Sequence, residues 1–71
     1  MRTASYGEAS GAVASFDKAS GLGEIESVEG AVYPFHCTAI ADGTRDIAVG
    51  TAVTFTITAG HRGRLEATAI R

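Results

Sequence analysis

Residues 53–58 read Val53-Thr54-Phe55-Thr56-Ile57-Thr58, a strict alternation of large apolar side chains with threonine. Successive side chains of a strand point to opposite faces of a sheet, so a period of two is typical of a half-buried antiparallel strand. The stretch therefore predicts a strand that buries Val53, Phe55 and Ile57. The three threonines are predicted to face solvent.

Glycine-marked turns divide the rest of the chain into short segments of similar character. Further strands are predicted over residues 11–16, 22–28, 31–35 and 64–70. Residues 38–50 carry no period of two and contain Asp42-Gly43, which predicts a turn of helix followed by an irregular loop. Residues 1–10 are small and polar and are predicted to form a flexible N-terminal arm, so that 11–71 make up the domain.

No segment sustains a helical period, so the predicted fold class is all-β. Five short antiparallel strands must each bury one face, and closing them into a small barrel removes their exposed edges. Pro34 lies inside a predicted strand although it has no amide hydrogen for a sheet ladder. That strand is therefore predicted to be short and to lie at a sheet edge.

Length and composition limit the function. A chain of 71 residues buries only about 60% of its unfolded surface, which argues against an active-site cleft between lobes. Its net charge of −2 argues against a strong electrostatic attraction to phosphates. One cysteine excludes an internal disulfide and fits a reducing compartment. With no apolar run of about 18 residues, the expected location is the cytoplasm and no membrane partner is expected.

The sequence gives little indication of a catalytic site or a metal site. Structural zinc takes four closely spaced ligands, whereas Cys37 beside His36, with His61 elsewhere, offers no second cysteine. Adjacent strand residues point to opposite faces, which disfavours a cysteine–histidine nucleophile pair. No helix is predicted after Gly21-x-Gly23, so this is not a phosphate loop. We expect a protein that is not an enzyme and has no cofactor or metal.

Residues 33–40 carry a family resemblance, and they read Tyr33-Pro34-Phe35-His36-Cys37-Thr38-Ala39-Ile40. The stretch resembles the second nucleic-acid-binding motif of the cold-shock domain family, which usually reads valine-phenylalanine-valine-histidine-phenylalanine-serine-alanine-isoleucine. His36, Ala39 and Ile40 match, and Thr38 replaces the serine. Other landmarks recur in order: Gly11-x-Val13 with Phe16-Asp17, Gly21-x-Gly23 with Ile25, Gly50 with Val53 and Phe55, and Gly60-x-x-Gly63 with Ala67. The resemblance covers residues 11–70 and implies a five-stranded antiparallel OB-type barrel of a divergent bacterial cold-shock-like protein.

In that family, aromatic side chains on the first three strands stack on bases while basic side chains meet phosphates. The motif positions that have no aromatic residue here are Ser15, Leu22, Glu24, Pro34 and Cys37. At ~1 kcal/mol per stack, the loss sums to ~5 kcal/mol, which is between three and four decades of affinity. The resemblance therefore implies weak or atypical binding.

The candidate nucleic-acid-binding residues that remain are Phe16, Lys18, His36, Arg62 and Arg64. Phe16 either stacks on a base or packs at the barrel rim, and His36 either contacts a base or is an inert exposed side chain. The basic residues either meet phosphates or are solvated loop charges. We expect a non-enzymatic module that binds single-stranded DNA or RNA weakly. The alternative is a protein-interaction or assembly module that has lost nucleic-acid binding and acts through a protein partner.

Overall fold

The computed structural model describes residues 5–41, 43, 46–60 and 64–71. The strands in chain order are β1 (Ser5–Asp17), β2 (Leu22–Ser27), β3 (Val32–His36), β4 (Ala52–Ala59) and β5 (Leu65–Thr68). A 3₁₀ turn over Cys37–Ala39 follows β3 directly. Each strand except β1 agrees with its predicted range to within a few residues at either end.

The five strands form one antiparallel sheet in the order β3-β2-β1-β4-β5. The sheet curls until its two outer strands, β3 and β5, contact each other. A parallel bridge between Ile40 and Ile70 joins the chain beyond these strands, where the Ile70 amide donates to the Ala39 carbonyl at 2.9 Å. The predicted fold is confirmed as an all-β, five-stranded antiparallel OB-type barrel that is nearly closed.

Strand β1 pairs with both β2 and β4 and is longer than predicted. Its first part pairs with β4, from Ser5 opposite Thr58 to Ala12 opposite Ala52, and its second part pairs with β2. The prediction of a flexible arm over residues 1–10 is therefore corrected for residues 5–10, which belong to the sheet; residues 1–4 lie outside the described residues. Alternation does not reveal this segment because it has no large apolar side chain at alternate positions.

The barrel encloses one apolar core, and its buried members are Val13, Ile25, Phe35, Ile40, Val53, Phe55, Ala67 and Ile70. Burial of Val53 and Phe55 confirms the alternation in β4, whereas Ile57 is only half-buried. Thr54 faces solvent as predicted. Thr56 and Thr58 are partly covered instead, because β5 pairs alongside them.

Strand β3 is five residues long and ends the sheet order, with β2 as its hydrogen-bonded neighbour. Pro34 stands opposite Glu24 in that pair. The edge position predicted from Pro34 is therefore confirmed. A proline is tolerated there because an edge strand has a hydrogen-bonded ladder on one side only.

Within the described residues, no helix is long and apolar enough to cross a membrane.

Candidate nucleic-acid interface

The outer surface of β1, β2 and β3 is the interface that the motif resemblance implies, and we call it the β1–β3 face. Residues paired across strands share one side of the sheet, so the register defines three parallel rows on this face. The rows are Ala12–Glu26–Val32, Ser15–Glu24–Pro34 and Asp17–Leu22–His36. A register shift between Val13 and Ser15 leaves Ala14 outside them.

Strand β2 alternates between exposed and buried side chains along its whole length. Glu24 and Glu26 stand in water while Ile25 is fully buried, as their period of two predicts. Two apolar side chains are also exposed on this face, Leu22 at 57% and Val32 at 52%. Of the positions that carry stacking rings in the cold-shock pattern, Ser15, Leu22 and Glu24 are exposed here and Pro34 and Cys37 are partly exposed, and none of them has an aromatic side chain.

The charge of the β1–β3 face is negative. Asp17, Glu24 and Glu26 all lie in its rows, and none of the nine row positions is lysine or arginine. Asp17 also has a structural use, because its Oδ1 accepts a hydrogen bond from the Ala19 amide at 3.0 Å within the β1–β2 turn. A phosphate backbone that crossed the two glutamates would be repelled.

His36 ends β3 with an exposed imidazole whose orientation is fixed by hydrogen bonds. Its Nδ1 accepts from the Thr38 amide at 3.2 Å and lies 3.0 Å from the Thr38 hydroxyl oxygen. Because Nδ1 is an acceptor for an amide, the neutral ring must carry its proton on Nε2. His36 therefore presents a ring face and an Nε2–H donor in a defined pose.

Gly21 in the β1–β2 turn packs closely beside this histidine. Its carbonyl accepts from the Cys37 amide at 2.7 Å, and its φ of +76° suits glycine. A Cβ at Gly21 would lie 3.2 Å from His36 Nε2 and 2.9 Å from Cys37 Sγ. Gly21, which belongs to one of the landmarks of the cold-shock pattern, thus has a structural role, because the absence of a side chain lets the turn approach the end of β3.

Cys37 lies nearer to His36 than strand geometry predicts. Its Sγ is 3.8 Å from His36 Nδ1. The two side chains approach because Cys37 begins the 3₁₀ turn and so does not continue the alternation of β3.

Phe16 belongs to an inward row and packs against the barrel. It stands opposite Gly23, which in turn stands opposite the buried Phe35. The two phenylalanine rings are stacked, with centroids 5.9 Å apart and planes inclined by 6°. Because the Phe16 ring is half-buried in this pair, the rim-packing interpretation fits its position better than base stacking does.

The predicted basic residues lie on connections between strands. Lys18 is in the β1–β2 turn, with its Nζ 3.4 Å from Asp46 Oδ2. Arg64 is exposed just before β5, and its carbonyl accepts from the Gly60 amide. Arg62 lies outside the described residues. Phe16, Lys18 and His36 thus lie at the β1–β2 turn end of the sheet, with Phe16 on its inner side, while Arg64 belongs to a different hairpin.

A scan of protein-family models gives no match for this sequence, and a search of curated proteins gives none either.

Three members of the face, Ala12, Asp17 and Val32, were not singled out from the sequence as surface residues. All three join the rows only through the pairing of β2 with its neighbours. The period of two along β2 was sufficient to find Glu24 and Glu26, whereas the register between strands is set by the tertiary fold.

Proposed function

We propose that this chain is a small non-enzymatic module of the cold-shock type that binds single-stranded DNA or RNA weakly at the His36 end of the β1–β3 face. The observation that carries the proposal is the exposed, hydrogen-bond-oriented imidazole of His36 beside the β1–β2 turn. The lone Cys37 fits a reducing compartment, so the proposal places the protein in the cytoplasm.

Fold analogy supports this location. OB barrels that bind oligonucleotides use the surface of strands 2 and 3 together with the loops joining strands 1–2 and 4–5. Lys18 and Arg64 lie in those two connections here, at the places where a phosphate backbone would pass. Lys18 would leave Asp46 at little cost, because a solvent-exposed ion pair contributes at most about 1 kcal/mol.

Weak affinity follows from the same geometry. His36 offers a single ring for stacking, and Phe16 is engaged with Phe35. A strand that continued past Leu22 toward the middle of the face would meet Glu24 and Glu26. The bound segment is therefore short, a few nucleotides that contact His36 and the two connections and do not cross the middle of the face.

The test is a titration of short oligo-dT and oligo-rU at low and at moderate salt, read by fluorescence anisotropy. Binding with a negative salt slope is expected. His36→Ala should weaken binding about fivefold, the equivalent of ~1 kcal/mol at the low end of a stacking contact. His36→Phe keeps a ring and should bind at least as well as wild type, while Thr54→Ala on the exposed side of β4 should change nothing.

The arginines give a second readout of the same proposal. Replacing Arg62 and Arg64 by glutamine should weaken binding equally for all base sequences, because phosphates carry no sequence information. The salt slope should fall by about 0.7 for each phosphate that the variant no longer neutralises. If wild type shows no binding even at low salt, or if the histidine and arginine variants all bind unchanged, the nucleic-acid proposal is overturned.

A protein-interaction module is the second candidate, and a specific observation favours it. The β1–β3 face combines three carboxylates with the exposed aliphatic side chains of Leu22 and Val32. Such a surface suits a polypeptide partner better than a phosphate backbone. In a pull-down, a partner that wild type captures should be lost by Glu24→Gln/Glu26→Gln.

A further inference from the structure

We infer that the two rows of the β1–β3 face that contain Glu24 and Glu26 form a docking surface for an extended basic polypeptide segment, with lysine or arginine at alternate positions. We call this part of the face the glutamate surface. The inference deepens the second candidate function and is independent of nucleic-acid binding at His36.

The glutamate surface has an apolar component that a partner would cover. Val32 is half-exposed beside Glu26, and the half-buried ring of Pro34 lies beside Glu24. Val32 and Pro34 are two residues apart on the edge strand, so they form an apolar border along one side of the carboxylates. Apolar side chains of a bound segment would contact this border while its cations face β2.

The two carboxylates are free to take new partners. Within the described residues, neither Glu24 nor Glu26 has a hydrogen bond or an ion pair, whereas Glu8 is paired with Arg71 and Asp46 with Lys18. Glu24 and Glu26 lie on one side of β2 at a separation of about 7 Å, twice the rise per strand residue. An extended polypeptide repeats its side chains at the same interval, so cations at alternate positions would each meet a carboxylate.

Other occupants fit this surface less well. A second copy in a two-fold arrangement would bring the same patch against itself and place carboxylates opposite carboxylates. Single-stranded nucleic acid would bring phosphates to the same carboxylates. Addition of a strand to β3 is disfavoured because β3 already contacts β5 and Pro34 has no amide hydrogen to donate. Charge complementarity therefore selects a cationic polypeptide that lies across the face.

The experiment uses the whole chain and two synthetic peptides of identical composition. In the first peptide arginine alternates with valine, and in the second the arginines form one block and the valines another. The alternating peptide should bind several-fold more tightly at low salt, measured by fluorescence anisotropy. Glu24→Gln and Glu26→Gln should each weaken binding of the alternating peptide by up to about fivefold, the upper range for an exposed ion pair.

Glu29→Gln is the matched control, because Glu29 is an exposed carboxylate in the β2–β3 turn and lies outside the rows. It removes the same charge and should leave peptide binding unchanged. The inference is overturned if the peptides bind equally, if Glu29→Gln weakens binding as much as Glu24→Gln, or if neither peptide binds.

Oligo-dT separates the two proposals in the same assay. Glu24→Gln/Glu26→Gln should weaken binding of the alternating peptide while it strengthens or preserves binding of oligo-dT. His36→Ala should weaken binding of oligo-dT and leave peptide binding unchanged. Oligo-dT binding without peptide binding overturns the docking inference and leaves the nucleic-acid proposal standing. Peptide binding without oligo-dT binding overturns the nucleic-acid proposal and leaves the docking inference standing.

Discussion

Gly23 allows two aromatic rings to meet at the rim of the barrel. It lies between Phe16 and Phe35 in one row across three strands, and the two rings stack because this position has no side chain. A Cβ at Gly23 would lie 2.6 Å from Phe35 Cζ and 2.6 Å from the Ser15 carbonyl oxygen. The second neighbour is backbone, so it can move away only by distorting β1.

Gly23→Ala should lower the free energy of unfolding by about 3 kcal/mol, the upper range for forcing extra atoms into a packed site. Urea denaturation followed by circular dichroism would measure the change. Gly30→Ala is the control, since a Cβ there meets no atom within 4 Å and only the φ of +93° opposes it. That variant should lose about 1–2 kcal/mol, the cost of the left-handed region for a residue with a Cβ. Equal losses in both variants would contradict a role for Gly23 in packing.

At the scale of single elements, β1 is the strand on which sequence and structure differ most. Ala9 stands opposite Phe55 and packs against the core, while its neighbour Ser10 is exposed. Ala9→Glu should therefore lower the free energy of unfolding by about 1–3 kcal/mol, because a carboxylate would be forced toward an apolar surface. Ser10→Glu should stay within about 0.5 kcal/mol of wild type. Thermal unfolding of the two variants measures the difference, and identical melting curves would indicate that this segment does not pack as a strand.

Strand β2 has two exposed positions, Leu22 and Glu24, at which the cold-shock pattern has aromatic residues. Replacing Leu22 and Glu24 by phenylalanine, together with Ser20→Lys, should raise the affinity for oligo-dT at least about tenfold, taking the low end of the stacking range for each ring. Both side chains are exposed; Leu22 lies in the row that ends in His36 and Glu24 lies in the adjacent row, so the new rings would extend the surface that His36 offers. A control with phenylalanine at Thr54, which is exposed on β4, tests whether any surface ring has the same effect. A folded triple variant that binds no better than wild type would contradict the placement of the platform.

Strands whose pattern is local can be predicted from the sequence, whereas features that depend on pairing between strands cannot. Alternation along one strand was enough to predict β2, β4 and the burial of Ile25, Val53 and Phe55. It could not show that β5 partly covers Thr56 and Thr58, because pairing between strands depends on the closed barrel. The first part of β1 could not be predicted for a related reason, since its small side chains form a strand by pairing with β4 and carry no alternation of their own. At the site, the period of two along β2 predicts that Glu24 and Glu26 face solvent, whereas the hydrogen bonds that orient His36 depend on the 3₁₀ turn.

At the scale of the whole molecule, the barrel is closed by the chain beyond β5. Ile70 is 1% exposed in the core, its carbonyl accepts from the Ala41 amide at 2.8 Å, and it bridges to Ile40 across the gap between the outer strands. The next residue, Arg71, exchanges two backbone hydrogen bonds of 2.9 Å with Thr54, and its guanidinium donates to Glu8 on β1. Residues far apart in the chain are thus joined at one end of the barrel.

A domain of this size has only about 3–5 kcal/mol of stability from its single core, so the closure at Ile70 should control whether the molecule folds. Ile70→Ala removes buried methyl groups and should cost about 2–5 kcal/mol, enough to unfold a large fraction of the protein at 25 °C. Ile70→Val should cost only about 0.5–1.5 kcal/mol and leave a cooperative transition at lower urea. Leu65→Ala is the matched control, because Leu65 lies in β5 with 40% of its surface already exposed and should lose less than Ile70→Ala. If Ile70→Ala unfolds at the same urea concentration as Leu65→Ala, closure at Ile70 does not govern stability, and the barrel is held mainly by the pairing of β1 with its two neighbours.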